Sequence, residues 1–355
     1  MWSGGTSSSW ASEALIGVVL WSTLVIVGVV ACLAVSAFAM RIRNIARARR
    51  YSRYEATWEP LLLEVMAGTL PISDLLDTVT PRSSRHFLLF LVRYARLLAG
   101  QDNLTITEIA APILPGILGD LQARSASRRA LAVQTLATLG IEKHGARIAR
   151  ALDDPSQLVS MVAARSLAGS HRPEYIGRVL RNLHRYSEWN SRFLASMLAS
   201  LGVEAAPALR SFLQAGGKAI DRAVAAEALG LLTDPVAGDI AVEILAGSPN
   251  RELAAALLRL LRTVGGPEHA PVVRSYASGR DGTLKALALS ALGTIGDASD
   301  IEKLEQGMFD ADPWVAINAA RSLLEAGGRA RLHEIARSDL PQSTLARETI
   351  AGGVA

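Results

Sequence analysis

One short string keeps returning in this chain, and it restricts the possible folds more than any other feature. AVQTL at 132–136 is followed by AARSL at 163–167, LASML at 194–198, AAEAL at 225–229, ALLRL at 256–260, ALSAL at 288–292 and AARSL again at 319–323. The closing leucines are Leu136, Leu167, Leu198, Leu229, Leu260, Leu292 and Leu323, and successive spacings are 31, 31, 31, 31, 32 and 31. A unit of that length cannot enclose a core of its own. It buries its apolar face only by stacking on its neighbours. It has room for two helices of about 10–14 residues and two turns.

The strings fall in the first helix of each unit, which is Ala-rich, as in VSMVAARSLAG and VAINAARSLLEAG. Small side chains at helical spacing let neighbouring helices approach, and the leucines fill the rest of the stripe. Each first helix runs into a glycine: Gly140, Gly169, Gly202, Gly230, Gly265, Gly293 or Gly296, and Gly327. A left-handed C-cap is the expected use. Second helices are expected at 143–152, 173–184, 205–214, 236–246, 268–277, 299–307 and 329–337, with Leu152, Leu183, Leu213, Leu245, Val273, Leu304 and Ile335 facing inward. Asp154-Pro155 and Asp312-Pro313 precede first helices, where Asp caps and Pro fits the first turn. No stretch of this body alternates like a strand. Residues 57–120 are less regular and are expected to form divergent terminal repeats, with one helix starting near Trp58, Glu59 and Pro60 and another broken by Pro115.

These strings resemble the HEAT-like repeats of bacterial proteins, including the short repeats named after phycobilisome lyases. The resemblance covers about residues 120–340 and implies an α-solenoid used to hold partners. It implies no bilin chemistry, because no bilin-handling residue is identifiable.

Ahead of the repeats, residues 15–40 (LIGVVLWSTLVIVGVVACLAVSAFAM) contain no charge. As a helix they span roughly 39 Å, enough for a bilayer core of about 30 Å. Arg41, Arg43, Arg47, Arg49, Arg50 and Arg53 follow, whereas residues 1–14 have no basic side chain. A cleaved signal peptide has the opposite order. The expectation is a single transmembrane helix with residues 1–14 outside and the body in the cytoplasm of a bacterial inner membrane. The arginines then set topology and attract anionic headgroups. Residues 41–56 are a basic juxtamembrane segment with room to continue as helix, and residues 341–355 are a C-terminal tail. Cys32, the only cysteine, is expected to be a small buried hydrophobe; it excludes an intrachain disulfide framework.

Residues 54–355 sum to a charge of −1, which argues against a nucleic-acid-binding body. There is no P-loop, dinucleotide fingerprint, HExxH or GxSxG. His86, His144, His171, His184, His269 and His333 form no pair at a metal-ligand spacing, and no catalytic residue, metal or cofactor is expected. Asp153 and Asp154 read as capping residues. The segment RVLRNLHRYSEWNSRF, 178–193, combines arginine and aromatic residues as binding interfaces do. Arg178, Arg181, Arg185, Tyr186, Trp189 and Arg192 are therefore partner-binding candidates, with Trp314 a further one. The expected fold class is all-α: one transmembrane helix, degenerate N-terminal repeats and about seven helical hairpins. The expected function is a non-enzymatic membrane-tethered scaffold or accessory subunit. The layout resembles accessory proteins of bacterial processive glycosyltransferases, which implies a polysaccharide synthase as partner. A HEAT-like enzyme such as a lyase, or an anionic-lipid-binding module, is the alternative.

Overall fold

The computed structural model describes residues 9–353 apart from 99 and 171; the side chains of 9–20, 22–26, 43–48, 50 and 173 also lie outside the described set. All regular structure among the described residues is helical. The chain divides into two compact units, residues 1–109 and 110–355.

In the first unit, α1 (Ser9–Met66) is one helix of 58 residues. It is followed by α2 (Ile72–Asp77), α3 (Ser84–Ala95) and α4 (Gln101–Ala110). The basic segment is thus helical, and no new helix begins at Trp58: α1 runs through Pro60. An interior proline lacks an N–H and costs about 3 kcal/mol. Packing around it offsets that cost, because Trp58, Leu62 and Val65 are buried on the same side of α1. Trp58 meets Phe87 edge-on at 4.9 Å and stacks on Tyr54 at 5.0 Å. Tyr94 Oη donates to Glu59 at 2.7 Å, and Arg93 donates to Glu55 at 3.1 Å while lying over the Tyr94 ring. The C-terminal end of α1 is therefore clamped to α3.

The other end of α1 is bare. Every described side chain from Val27 to Ile42 is exposed, among them Val27, Leu33, Val35 and Phe38. Cys32 is exposed too, because this part of α1 meets no other element in the described fold. Among the described residues no single helix is long and apolar enough to cross a membrane; Val27–Ile42 is a shorter apolar piece. Much of the expected span, including residues 15–20 and 22–26, lies outside the described side chains, as do Trp10, Arg43, Arg47 and Arg50.

The second unit opens with a 3-10 stretch, Leu114–Gln122. Pro115 starts that stretch rather than breaking a helix. First helices are the front of α5 (Ala126–Arg150), then α6 (Gln157–Ala168), α8 (Ser191–Ala199), α10 (Ala219–Leu231), α12 (Arg251–Val264), α14 (Gly282–Ile295) and α16 (Pro313–Glu325). Second helices are the back of α5, after a break at Gly140, then α7 (Ile176–Arg181), α9 (Ala206–Gln214), α11 (Ala237–Ala246), α13 (Ala270–Ala277), α15 (Asp300–Gly307) and α17 (Arg329–Arg337). The segment expected as a tail holds α18 (Ser343–Gly352), which packs on α16 and α17. Successive first helices pack on one another, and each second helix from α9 onward packs beneath the first helix that follows it. This is an α-solenoid-like stack of two helical rows.

The core is the repeat. All seven closing leucines and all seven inward residues of the second helices are buried. So are the alanine pairs Ala163-Ala164, Ala225-Ala226 and Ala319-Ala320, since a helix between two neighbours buries most of its circumference. The glycines divide between helix ends and packing: Gly169, Gly265 and Gly296 are C-cap residues, whereas Gly230 and Gly293 lie inside helices. Only Gly202 and Gly327 of the expected set have positive φ. Gly293 lies inside α14, where an added Cβ would sit 2.7 Å from Ser322 Cβ on α16. Gly265 and Gly296 are extended, and a Cβ there would strike the carbonyls of Leu261 and Leu292.

Ion pairs tie successive units together. Arg129 grips Asp154 with two bonds of 2.8 Å. Five units later, at the equivalent offset of 156 residues, Lys285 pairs with Asp310. Asp154 and Asp310 also accept from the backbone N–H two residues on, at 2.8 and 2.9 Å. Asp154 is therefore a turn-stapling residue, and α6 is preceded by Ser156. Asp312 does cap its helix, accepting from Trp314 N at 2.9 Å, with Pro313 in the first turn. Arg274 bridges both Asp300, through two bonds of 2.8 Å, and Asp297 at 2.9 Å.

Candidate functional site

The arginine- and aromatic-rich segment separates into a buried half and an exposed half. The expected single helix at 173–184 is three pieces: a 3-10 turn Pro173–Tyr175, α7, and a second 3-10 turn Leu183–Tyr186. The second turn rotates Tyr186 inward. It is fully buried, its hydroxyl 2.6 Å from Ser160 Oγ. Burial pushes its phenol up from the ordinary tyrosine value, with the Ser160 bond acting the other way. Arg185 folds back and donates to the carbonyls of Leu152 and Asp154, and Gln157 donates to the Arg185 carbonyl. Tyr186 and Arg185 are thus fastenings between units, Tyr186 fully buried and Arg185 partly so.

The exposed half is Arg181, Trp189 and Arg192. Trp189 is 37% exposed and stacks on Phe193 at 5.8 Å. Arg178 is partly exposed and pairs with Asp153 at 3.3 Å. Asp153 thus serves this pair and is not a cap. Trp314 is 53% exposed in the first turn of α16. Of the lipid and topology arginines, Arg41, Arg49 and Arg53 are exposed along α1. His171 lies outside the described residues. His269 is buried, its Nδ1 accepting from Gly266 N at 2.9 Å and its Nε2 facing Asp239 at 3.1 Å. Among the described residues no group of three or more His, Cys, Asp or Glu is placed to hold a metal ion.

The repeat period relates the two tryptophans. Stepping by one unit from Leu158 gives Trp189, Ile220, Arg251, Thr283 and Trp314. Leu158 is exposed and Ile220 half-buried. Arg251 donates to Thr283 at 2.7 Å, so this position makes contact across adjacent units. It forms an edge of the stack at the start of the first helices, apolar at both ends.

A cleft of about 400 Å³ opens beside the first complete unit. Its apolar lining includes Leu118, Leu121, Val133 and Val159, and Arg147 and Arg150 stand at it. Arg147 bonds His144 Nδ1 at 3.1 Å. Burial, aided by the Arg147 and Lys143 charges, pushes His144 below the ordinary histidine value, which keeps it neutral and able to accept. These arginines were missed in the sequence because the body as a whole is nearly neutral. The signal was there in the distribution: residues 123–195 hold twelve Arg and Lys against five Asp and Glu, whereas 54–122 hold four against eight and 196–355 fifteen against nineteen.

Residues 238–325, from α11 to α16, match the family described as HEAT repeats. The solenoid is HEAT-like. The match covers the later units, and the same two-helix arrangement continues back to α5. No curated protein matches the chain. HEAT-like stacks present extended surfaces for other proteins, and the exposed edge and cleft described above lie on such a stack.

Proposed function

We propose that this protein is a non-enzymatic scaffold or accessory subunit, anchored in a bacterial inner membrane by residues 15–40, whose HEAT-like stack holds a protein partner at the cytoplasmic face. The observation that carries the scaffold reading is the HEAT match on a stack whose interior is filled by its own repeat residues. Trp189, Trp314 and the arginines remain at the surface as large anchors. Support for the anchor comes from α1. Its apolar side chains from Val27 to Met40 are exposed all around the helix, and water tolerates an apolar surface of that extent poorly. The uncharged run ends at Arg41, where the arginine collar would meet anionic headgroups at about 1 kcal/mol per charge.

A partner in the same membrane gains most, because tethering raises the effective concentration of the second contact. A polytopic glycosyltransferase of a polysaccharide synthase is the first partner to look for. The test is purification of the full-length protein from membranes in mild detergent, followed by mass spectrometry of what accompanies it. A stoichiometric polytopic glycosyltransferase supports the accessory-subunit reading. Absence of any stable companion removes the obligate-subunit form. A turnover found in the isolated protein would replace the scaffold with the enzyme alternative.

A further inference from the structure

Charge on the stack is concentrated where the cleft is. Residues 123–195 carry a net +7, and the stretches before and after it carry −4 each. Arg150 ends α5 and Arg181 ends α7, at equivalent positions 31 residues apart. Both are exposed, and among the described residues neither these two nor Arg192 makes an ion pair. Helix dipoles favour a cation in a last turn by about 0.3–1 kcal/mol, but that interaction leaves the guanidinium donors unused. Beneath Arg147 and Arg150 the cleft is lined by leucine and valine. Of the exposed edge residues that follow the Arg150 and Arg181 turns, Leu158 lies in the first turn of α6 and Trp189 two residues before α8.

We propose that this cleft, with Arg147 and Arg150 at it and Arg181 and Arg192 in the units that follow, docks an acidic protein segment that seats an apolar side chain against the part-exposed Leu118 and Leu121. The proposal rests on the scaffold reading and specifies the partner's chemistry. A protein segment fits better than a phosphate polymer because the cationic track is interrupted. Asp153 lines the cleft with most of its side chain exposed, and Glu188 is exposed beside Trp189. A continuous phosphate backbone is repelled at both places. A peptide can place its carboxylates on the arginines and offer backbone N–H groups to Asp153.

The experiment uses the full chain in detergent micelles and two labelled synthetic peptides followed by fluorescence anisotropy. One has leucines at helical spacing and glutamates elsewhere; the other has lysines in place of the glutamates. The acidic peptide is expected to bind and its lysine counterpart to fail. Arg150→Glu with Arg181→Glu should weaken the acidic peptide at least about tenfold, while Arg321→Glu, a distant exposed control, should leave it unchanged. If charge reversal alters the circular dichroism melt, Arg150→Gln with Arg181→Gln replaces it. No preference between the peptides, no binding of the acidic one, or the same affinity in the double variant overturns the proposal. So does stronger competition from a single-stranded oligonucleotide or from phosphatidylglycerol vesicles, which would reassign the arginines to phosphate. A natural partner that still co-purifies with the double variant would sink this site and leave the scaffold standing.

Discussion

Tyr186 and Trp189 are three residues apart and do opposite jobs. The sequence presents both as aromatic residues in an arginine-rich segment. Only the 3-10 turn Leu183–Tyr186 decides which of them points inward. Tyr186→Phe removes a buried hydroxyl from Ser160 and should cost about 1 kcal/mol of stability with no effect on partner affinity. Trp189→Ala should weaken partner binding by more than about 1 kcal/mol and leave the stack folded. Unchanged affinity would take Trp189 out of the interface. Asp300 is the most committed of the acidic staples, its side chain 3% exposed and held by Arg274. That guanidinium keeps the Asp300 carboxyl below the ordinary carboxylate range. Asp300→Ala should cost about 1–3 kcal/mol in urea unfolding, because it removes two charge-assisted bonds and leaves the part-exposed Arg274 to Asp297 alone.

At the scale of the element, the repeat string reported helix positions well, and α9, α11, α13, α15 and α17 begin and end within two residues of the expected bounds; what it did not separate was the work of the glycines. The leucine spacing reflects packing, and packing is what the period encodes; every closing leucine is buried. Glycine carries two meanings that sequence does not separate. Gly202 and Gly327 have the positive φ that glycine adopts without strain, Gly327 just past the end of α16 and Gly202 ahead of the turn Val203–Ala205. Gly230 and Gly293 sit inside helices, with different neighbours. A Cβ at 230 would meet Leu260 Cδ1 at an ordinary 3.6 Å, whereas one at 293 would be driven into Ser322. Gly230→Ala should therefore stabilise the stack by about 0.5–1 kcal/mol. Gly293→Ala should destabilise it by about 1–3 kcal/mol despite the better helix propensity of alanine. Thermal melts of the two variants check both signs. The candidate surface was legible in part for the same kind of reason. Composition marked 178–193, but the cleft needs residues from 118 to 159 brought together by folding.

For the whole molecule, the recurring aspartates set the response to acid. Asp154, Asp300 and Asp310 are each held below the ordinary carboxylate value, chiefly by hydrogen bonds from Arg129, Arg274 and Lys285 respectively. A depressed folded value stabilises above the unfolded carboxylate pKa of about 3.9, and that stability is lost as pH falls through the folded value. The urea midpoint should stay level through neutral pH and drop below about pH 4. Asp221 works the other way: burial raises its carboxyl, so its ionisation opposes folding as pH rises. Asp221→Asn should raise the midpoint at pH 7 and give no gain in acid. The bilayer anchor is tested at this scale too. Alkaline carbonate should leave the full chain with the membrane, and deletion of residues 15–40 should release it; release of the full chain would remove the anchor.

The long helix α1 has one more consequence. It passes from the apolar run to the Trp58 clamp without a joint, so whatever fixes its upper part also fixes the compass bearing of residues 57–109. Each residue inserted between Arg53 and Trp58 would turn that unit by about 100° and lift it about 1.5 Å. Seven inserted residues would bring it back to within about 20° of its starting direction. A probe attached to residues 57–109 should report that turning, its orientation to the bilayer rising and falling with the number of residues inserted, following the pitch of the helix.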